Sequence, residues 1–294
     1  YFGTTIYHIS VTFVAIIAYT VDMNSPHNHT LASYVEHLQS NGRYTFTTEE
    51  LSSHRKGTSV SHRSAIRRLC QKHRLARPTH GFQVIVPTEY MFAGAPPASW
   101  FIDDLMHFLH RPYYVGLLSA ASLHGASHQQ PQEFQVVTSR TMRPIVVGRT
   151  NIKFYRNRNL PTVLTEQHKT VTGYITVSTI EATMLDIVRA MDSCGGLSTI
   201  ATIILELAPF ASPDKLSSAG MHAKQTTLQR LGYILEQLHL TTLANSLDAI
   251  IANHRKHPTL LRASSKLPNH AESIVPDIVR RWNIIPNESI ELEA

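Results

Sequence analysis

The stretch TTEELSSHRKGTSVSHRSAIRRLCQKHRLARPTHGFQVIV, Thr47–Val86, decides how the chain is read. Thr47 and Glu50 stand at capping-box spacing, which predicts a helix from there to about His54. Lys56-Gly57-Thr58 breaks the chain. Ser59 can cap a further helix over roughly Val60–His73, with Ile66, Leu69 and Cys70 as its buried stripe. Thr79-His80-Gly81 then turns into FQVIV, Phe82–Val86. Upstream, Thr30 can cap a helix with Leu31, Tyr34, Val35 and Leu38 on one face, ending near Asn41-Gly42. Three short helices followed by a wing-like strand predict a winged helix-turn-helix.

Charge agrees with that reading. The 294 residues hold 27 Lys or Arg and 21 Asp or Glu. Between Met23 and Val86 nine cations (Arg43, Arg55, Lys56, Arg63, Arg67, Arg68, Lys72, Arg74, Arg77) face three acids (Glu36, Glu49, Glu50). From Pro87 to Ala294 there are 18 basic and 17 acidic residues, so nearly all the excess lies in one small unit. No acid occurs from Leu51 to Thr88. A cationic field so confined points to a polyanion, most often nucleic acid. On a recognition helix, Ser61, His62, Arg63 and Arg67 would face base edges, since Arg pairs bidentately with guanine. Arg55, Lys56, Arg68, Lys72, Arg74 and Arg77 would bind backbone phosphates, with His80 in the wing. The plain alternative is a solvated basic helix with no ligand. RNA is disfavoured by the scarcity of aromatic stacking residues.

The apolar fraction of 43% excludes general disorder, and the length suggests about two domains. Two cysteines, Cys70 and Cys194, cannot build a disulfide framework or a thiolate zinc site and fit a reducing cytoplasm. Residues 1–22 read as a leader upstream of a natural start at Met23. Their apolar run Ile9–Val21 is too short for a bilayer-spanning helix and lacks a positive flank. The expected division is 23–86 for the winged helix, 87–98 for a linker closed by Pro96-Pro97, 99–253 for a larger domain, and 254–294 for a polar link and docking tail. That larger domain orders helices, strands, then helices, the pattern of an α+β fold. Ser99 is expected to cap its first helix, with Phe101, Leu105, Met106 and Leu109 buried. A second helix is expected from after Pro112, through Tyr114 and Leu117, to Gly125. Phe134–Thr138 and Tyr174–Val177 read as strands, and Ile145–Val147 with Ile152–Tyr155 as a hairpin. Ser178-Thr179-Ile180-Glu181 reads as a capping box. Further helices are expected near 198–207, 214–222, 225–238 and 241–253, and the tail should dock by Trp282, Ile284 and Ile285.

Three constellations in the larger domain could carry chemistry. Arg140, Arg143, Arg149, Lys153, Arg156 and Arg158 form an acid-free run, either a cationic face for nucleic acid or an acidic partner, or solvated edge-strand cations that discourage aggregation. His124, His128 and Gln129 lie near Tyr113 and Tyr114, but without a carboxylate or thiolate at ligand spacing they read as satisfied helix-end residues, and no metal or other cofactor is expected. Glu133 and Gln135, after Asp103 and Asp104, are too loose for a nuclease core. GxSxG, the P-loop and the dinucleotide fingerprint are all missing, so no catalytic residue is assigned and the domain reads as a binding body rather than an enzyme.

Several blocks carry a family resemblance. GFQVIVPTEY (81–90), GAPPASWFIDDLM (94–106), RPYYVGLLSAASLHGASHQQPQEFQVVTSR (111–140), RPIVVG (143–148), RNRNL (156–160), YITVSTIEATMLDIV (174–188), QRLGYILE (229–236) and the WNIIPNE tail resemble the AbiEi family of antitoxins. The resemblance spans roughly Leu31 to Leu238 and omits residues 1–22. It implies a bacterial type IV toxin–antitoxin system, often linked to abortive phage defence. Its members carry a winged helix that represses their own operon at inverted repeats in promoter DNA, and a larger domain that neutralises a nucleotidyltransferase toxin, without a stable toxin complex being required. On this chain the resemblance makes Arg140, Arg143, Arg149, Lys153, Arg156 and Arg158 antitoxicity candidates. Two rival readings are a metal-dependent nucleic-acid-modifying enzyme and a metabolite-sensing transcription regulator. No membrane association is expected.

Overall fold

The computed structural model describes residues 30–126, 132–252, 257–264 and 278–292. Expectations for residues 1–22, for His128 and Gln129, and for most of the polar link lie outside them.

The N-terminal unit runs α1 (Leu31–Ser40), β1 (Thr45–Thr47), α2 (Thr48–His54), α3 (Ser59–Gln71), β2 (Leu75–Thr79) and β3 (Phe82–Ile85). Thr30 Oγ1 caps α1 on the amide of Ser33, and Thr47 Oγ1 caps α2 on the amide of Glu50. The second half of the expected capping box does not form, because Glu50 instead pairs with Arg43 at 2.7 Å. The cap of α3 is Thr58, one residue before the expected Ser59, and accepts from the amide of Ser61. Strands β1 and β2, neither of which the sequence pattern marked, flank β3 in an antiparallel sheet ordered β1-β3-β2.

Strand β3 explains why FQVIV lacks the polar alternation of a half-exposed strand: it is covered on both faces. Ile85 joins Leu31, Tyr34, Val35, Leu38, Phe46, Leu51, Ala65 and Ile66 in the core of the N-terminal helices. Phe82, Val84 and Val86 point the other way, into a core shared with the rest of the chain. Residues 87–98, expected as a linker, therefore do not act as a tether: Ala95 and Ala98 are buried in that shared core. Around it Trp100 stacks edge-on against Tyr44 (5.0 Å between ring centroids) and Tyr90 (5.3 Å), and Phe82 meets Phe108 at 5.4 Å. Thr45 Oγ1 also donates to Asp104.

The remainder is α+β. A six-stranded sheet is ordered β6 (Ile145–Val147), β7 (Thr150–Arg156), β5 (Glu133–Thr138), β4 (Tyr113–Val115), β9 (Tyr174–Ser178) and β8 (Thr165–Lys169). Pairs β5/β7 and β4/β9 are parallel, the others antiparallel. Helix α4 (Ile102–Phe108) has no side-chain cap; Ser99 lies instead in the preceding 3-10 turn Ala98–Trp100. Tyr113–Val115, expected to open a helix, is a central strand, and the helix α5 covers only Leu117–Leu123. Along β4 and β5 successive residues part company: Val115 and Val136 face the shared core, Tyr114 and Val137 face a helical layer.

That layer contains α6 (Ile180–Arg189), α7 (Leu197–Leu207), α8 (Pro213–Gly220), α9 (Gln225–Gln237) and α10 (Thr241–Ala252). Thr179, not Ser178, caps α6 through the amide of Ala182. The tail docks as expected through Trp282 and Ile284, both fully buried, while Ile285 is half-buried; β10 (Thr259–Leu260) and β11 (Ile284–Ile285) pair beside it. Trp282 Nε1 donates to Glu236 at 2.7 Å, and Gln229 Nε2 donates to the Trp282 carbonyl at 2.9 Å. The indole lies so close to Gly232 that a Cβ there would fall 2.2 Å from the ring, so only glycine fits this turn of α9. Among the described residues no helix is long and apolar enough to cross a membrane.

Two outcomes follow from this packing. Gly232→Ala should displace Trp282 and lower stability by about 1–3 kcal/mol, a fall of several degrees in Tm by calorimetry; an unchanged Tm would mean the indole is not fixed there. Because the N-terminal unit shares its core with the body, the chain should melt in one transition, and Phe82→Ala should shift that whole transition down by about 3 kcal/mol or more rather than detach an early-melting part.

Candidate nucleic-acid interface

Helix α3 buries His62, Ala65 and Ile66. Its opposite side exposes Val60, Arg63, Ser64, Arg67 and Gln71, a stripe at spacings of three and four that runs the length of the helix. Arg63 lies along the helix, with Nε donating to the Ser59 carbonyl at 3.3 Å. Arg68 and Lys72 flank the stripe and Lys56 precedes it, all exposed. Among the described residues none of these cations has a carboxylate partner.

His62, expected at the bases, is 1% exposed. Its Nδ1 lies 3.3 Å from Ser52 Oγ, so the imidazole packs α3 against α2 and cannot reach a ligand. Ser61 is exposed, but its hydroxyl donates to the Thr58 carbonyl at 2.9 Å in the first turn. The residues missed on the exposed stripe are Val60, Ser64 and Gln71. Val60 is 62% exposed at the helix start, an unusual place for a large apolar side chain. The spacing from Arg63 and Arg67 would have identified all three.

Of the remaining cations, Arg77 is exposed on β2 and Arg74 is half-buried just before it. Arg55 is half-sunk behind α2, with Nε and Nη1 buried and without an acceptor among the described residues. His80 is exposed at the β2–β3 turn, but neighbouring Phe82 packs on Phe108, so the turn rests on the body.

The basic run of the body does not form one patch. At the β6–β7 turn Gly148, with φ +57°, presses onto the backbone of Ala93 and Gly94, where a Cβ would fall 2.2 Å from the Ala93 carbonyl. The Arg149 amide donates to that carbonyl at 2.8 Å, and its guanidinium lies 4.2 Å over the ring of Phe92, itself 83% exposed. Arg77 borders the same surface, so the hairpin tip continues the N-terminal cationic face. Lys153 is neutralised by Glu133 at 3.0 Å. Arg140, Arg143, Arg156 and Arg158 are exposed without carboxylate partners among the described residues. Arg156 and Arg158 belong to the opposite end of β7, where they line a cleft with Arg189, His222 and Lys224.

The acids Asp103, Asp104 and Glu133 are each engaged in local contacts. Asp103 accepts from the Tyr113 hydroxyl at 2.7 Å, Asp104 from Thr45, and Glu133 pairs with Lys153 and Asn151. Burial, with Asp103 alongside, pushes the Tyr113 phenol far up. His124 caps α5 and donates from Nε2 to the Ser178 carbonyl at 2.7 Å, a satisfied helix-end histidine. Among the described residues no group of three or more His, Cys, Asp or Glu could hold a metal.

Residues 114–237 match the family described as the AbiEi antitoxin C-terminal domain. No curated protein matches the chain. Its fold is shared with the RV2827C protein of Mycobacterium tuberculosis, which is 16% identical and superposes with a TM-score of 0.56 over 85% of this chain and 89% of that one. An antigenic nucleotidyltransferase-like protein from Paracoccidioides brasiliensis overlaps 52% of this chain and 91% of its own at 11% identity and a TM-score of 0.37, too low to bear on fold or function. The matched span runs from β4 to α9 and so takes in the six-stranded sheet and helices α5 to α9, which are similar to the AbiEi antitoxin C-terminal domain.

Proposed function

We propose that this chain is the antitoxin of a two-gene toxin–antitoxin system and that it represses its own operon by gripping duplex DNA with α3. The observation that carries the reading is the exposed stripe of α3. Among the described residues its cations have no carboxylate partner, on a chain whose residues 114–237 match the AbiEi antitoxin C-terminal domain. The order α1-β1-α2-α3-β2-β3 supports taking the unit as a winged helix-turn-helix with α3 in the major groove. Arg63 and Arg67 then face guanine edges, Val60 suits a thymine methyl, and Ser64 and Gln71 complete the reading face. Lys56, Arg68, Lys72, Arg74 and Arg77 hold phosphates, as do Arg55 and His80 at the margins, and Ser61 sits at the helix start beside them. His62 is a packing residue in this account. Arg149, continuous with the N-terminal face, extends the phosphate track.

Neutralisation of the partner, a nucleotidyltransferase by family resemblance, falls to the body. Its effective cations are Arg140, Arg143, Arg156 and Arg158, since Lys153 is already paired with Glu133.

Binding of full-length protein to the duplex upstream of its own coding sequence, compared with random duplex, tests the first half. Arg63→Ala and Arg67→Ala should each cost about 1–3 kcal/mol on the specific duplex and relax sequence preference, whereas Lys72→Ala should weaken both duplexes alike. Equal losses on both duplexes for the two arginines would overturn the base-contact assignment. For the second half, co-expression with the neighbouring toxin should show rescue of growth by the wild type and loss of rescue when Arg156 and Arg158 are replaced together by Glu; retained rescue would move the neutralising surface elsewhere.

A further inference from the structure

The cleft at the far end of β7 has a volume of about 480 Å³, within the range of small-molecule sites. Its rim is cationic. Arg156 and Arg158 come from the end of β7 and the loop after it, and His222 and Lys224 from the α8–α9 turn. All four are exposed, and none has a carboxylate partner among the described residues. They belong to separate chain segments, tied together where Asn159 Nδ2 donates to the His222 carbonyl at 3.5 Å.

A carboxylate does line the cleft, but it is committed. Asp186 is buried and accepts from Arg189 Nη2 at 2.8 Å and from the Tyr114 hydroxyl at 2.8 Å. Arg189 in turn donates through Nη1 to the Arg156 carbonyl at 3.2 Å, which braces the rim. The pair Asp186–Arg189 is thus internally neutral and leaves the field to Arg156, Arg158 and Lys224. Helix α9, 13 residues long, starts beside this rim at Gln225 without a side-chain cap, and its dipole adds to the positive potential. The floor is apolar, formed by Leu164, Leu185 and Ala219.

A cationic rim over an apolar floor suits a molecule that is anionic at one end and flat and weakly polar at the other. We propose that this cleft binds a phosphorylated nucleoside. Its phosphates lie against Arg156, Arg158, Lys224 and the start of α9, and its base covers the apolar floor. Both a free nucleotide and the terminal nucleotide of a single strand carry this chemistry. The inference goes beyond duplex binding by α3 and stands or falls separately from it.

The full chain is titrated calorimetrically, in parallel, with ATP, GTP, a 5′-phosphorylated single-stranded RNA tetramer and inorganic phosphate. Saturable binding of a free nucleotide, with Tm raised by about 2 °C or more at millimolar concentration, identifies a free ligand. Binding of the tetramer alone identifies a strand end. In either case Arg158→Glu combined with Lys224→Glu should weaken binding at least tenfold, while the Tm without ligand stays within about a degree, because both side chains are exposed. Binding of inorganic phosphate as tight as that of the nucleotides, or of none of the probes, would overturn the proposal, as would undiminished binding by a folded double variant.

Discussion

Burial of β3 on both faces is the constraint on which the rest of the molecule depends. Ile85 closes the core under α1–α3, while Phe82, Val84 and Val86 enter the core beneath the large sheet. A strand with two apolar faces cannot leave either core without exposing the other, at roughly 25 cal/mol per Å² of apolar surface. The N-terminal unit is therefore fixed to the body. The rings of Tyr44, Trp100 and Tyr90 close the same junction. As a result α3 has one orientation relative to the large sheet, and the Arg149 turn lies on the same side as Arg77.

Onto that frame the chain distributes charge unevenly. In the body, cations that matter to the fold find acids: Arg262 with Asp192 and Glu288, and Arg281 with Glu236 and Asp248. Among the described residues, the exposed cations of α3, and Arg156, Arg158 and Lys224 at the cleft rim, find none. Unpaired exposed cations repel one another weakly in water and add little to stability. Clusters of such cations on α3 and at the cleft rim present two places suited to anions. The first is long and convex on a helix, the shape the proposed duplex binding needs; the second is concave over an apolar floor, the shape proposed for a phosphorylated nucleoside.

Much of this was legible in the sequence where local chemistry decides. Thr30 and Thr47 cap their helices because a hydroxyl at that position satisfies an open amide, whatever surrounds it. The tail announced itself by Trp282 and Ile284. His62 shows that residue type alone is a poor guide: it lies four before Ile66 and three before Ala65, so its spacing places it on the buried stripe although its chemistry suggests a polar contact. Tyr113–Val115 differs from its expected helix because a short apolar run fits a strand or a buried helix equally well, and its pairing with β5 and β9 decides which. Strand β8 carries the wholly polar TEQHK at a sheet edge and has no apolar alternation to find. The cleft could not be read at all. Arg156 and Arg158 meet Arg189 and Lys224 only through the fold.

The central claim is that the α3 surface exists to neutralise duplex phosphates. The most direct measurement is the equilibrium affinity of the full-length chain for its upstream duplex as a function of sodium chloride concentration. The account predicts a linear fall of log K with log salt, with a slope of about −4 or steeper, since each neutralised phosphate contributes about −0.9. A slope near zero, or no binding at low ionic strength, would contradict it.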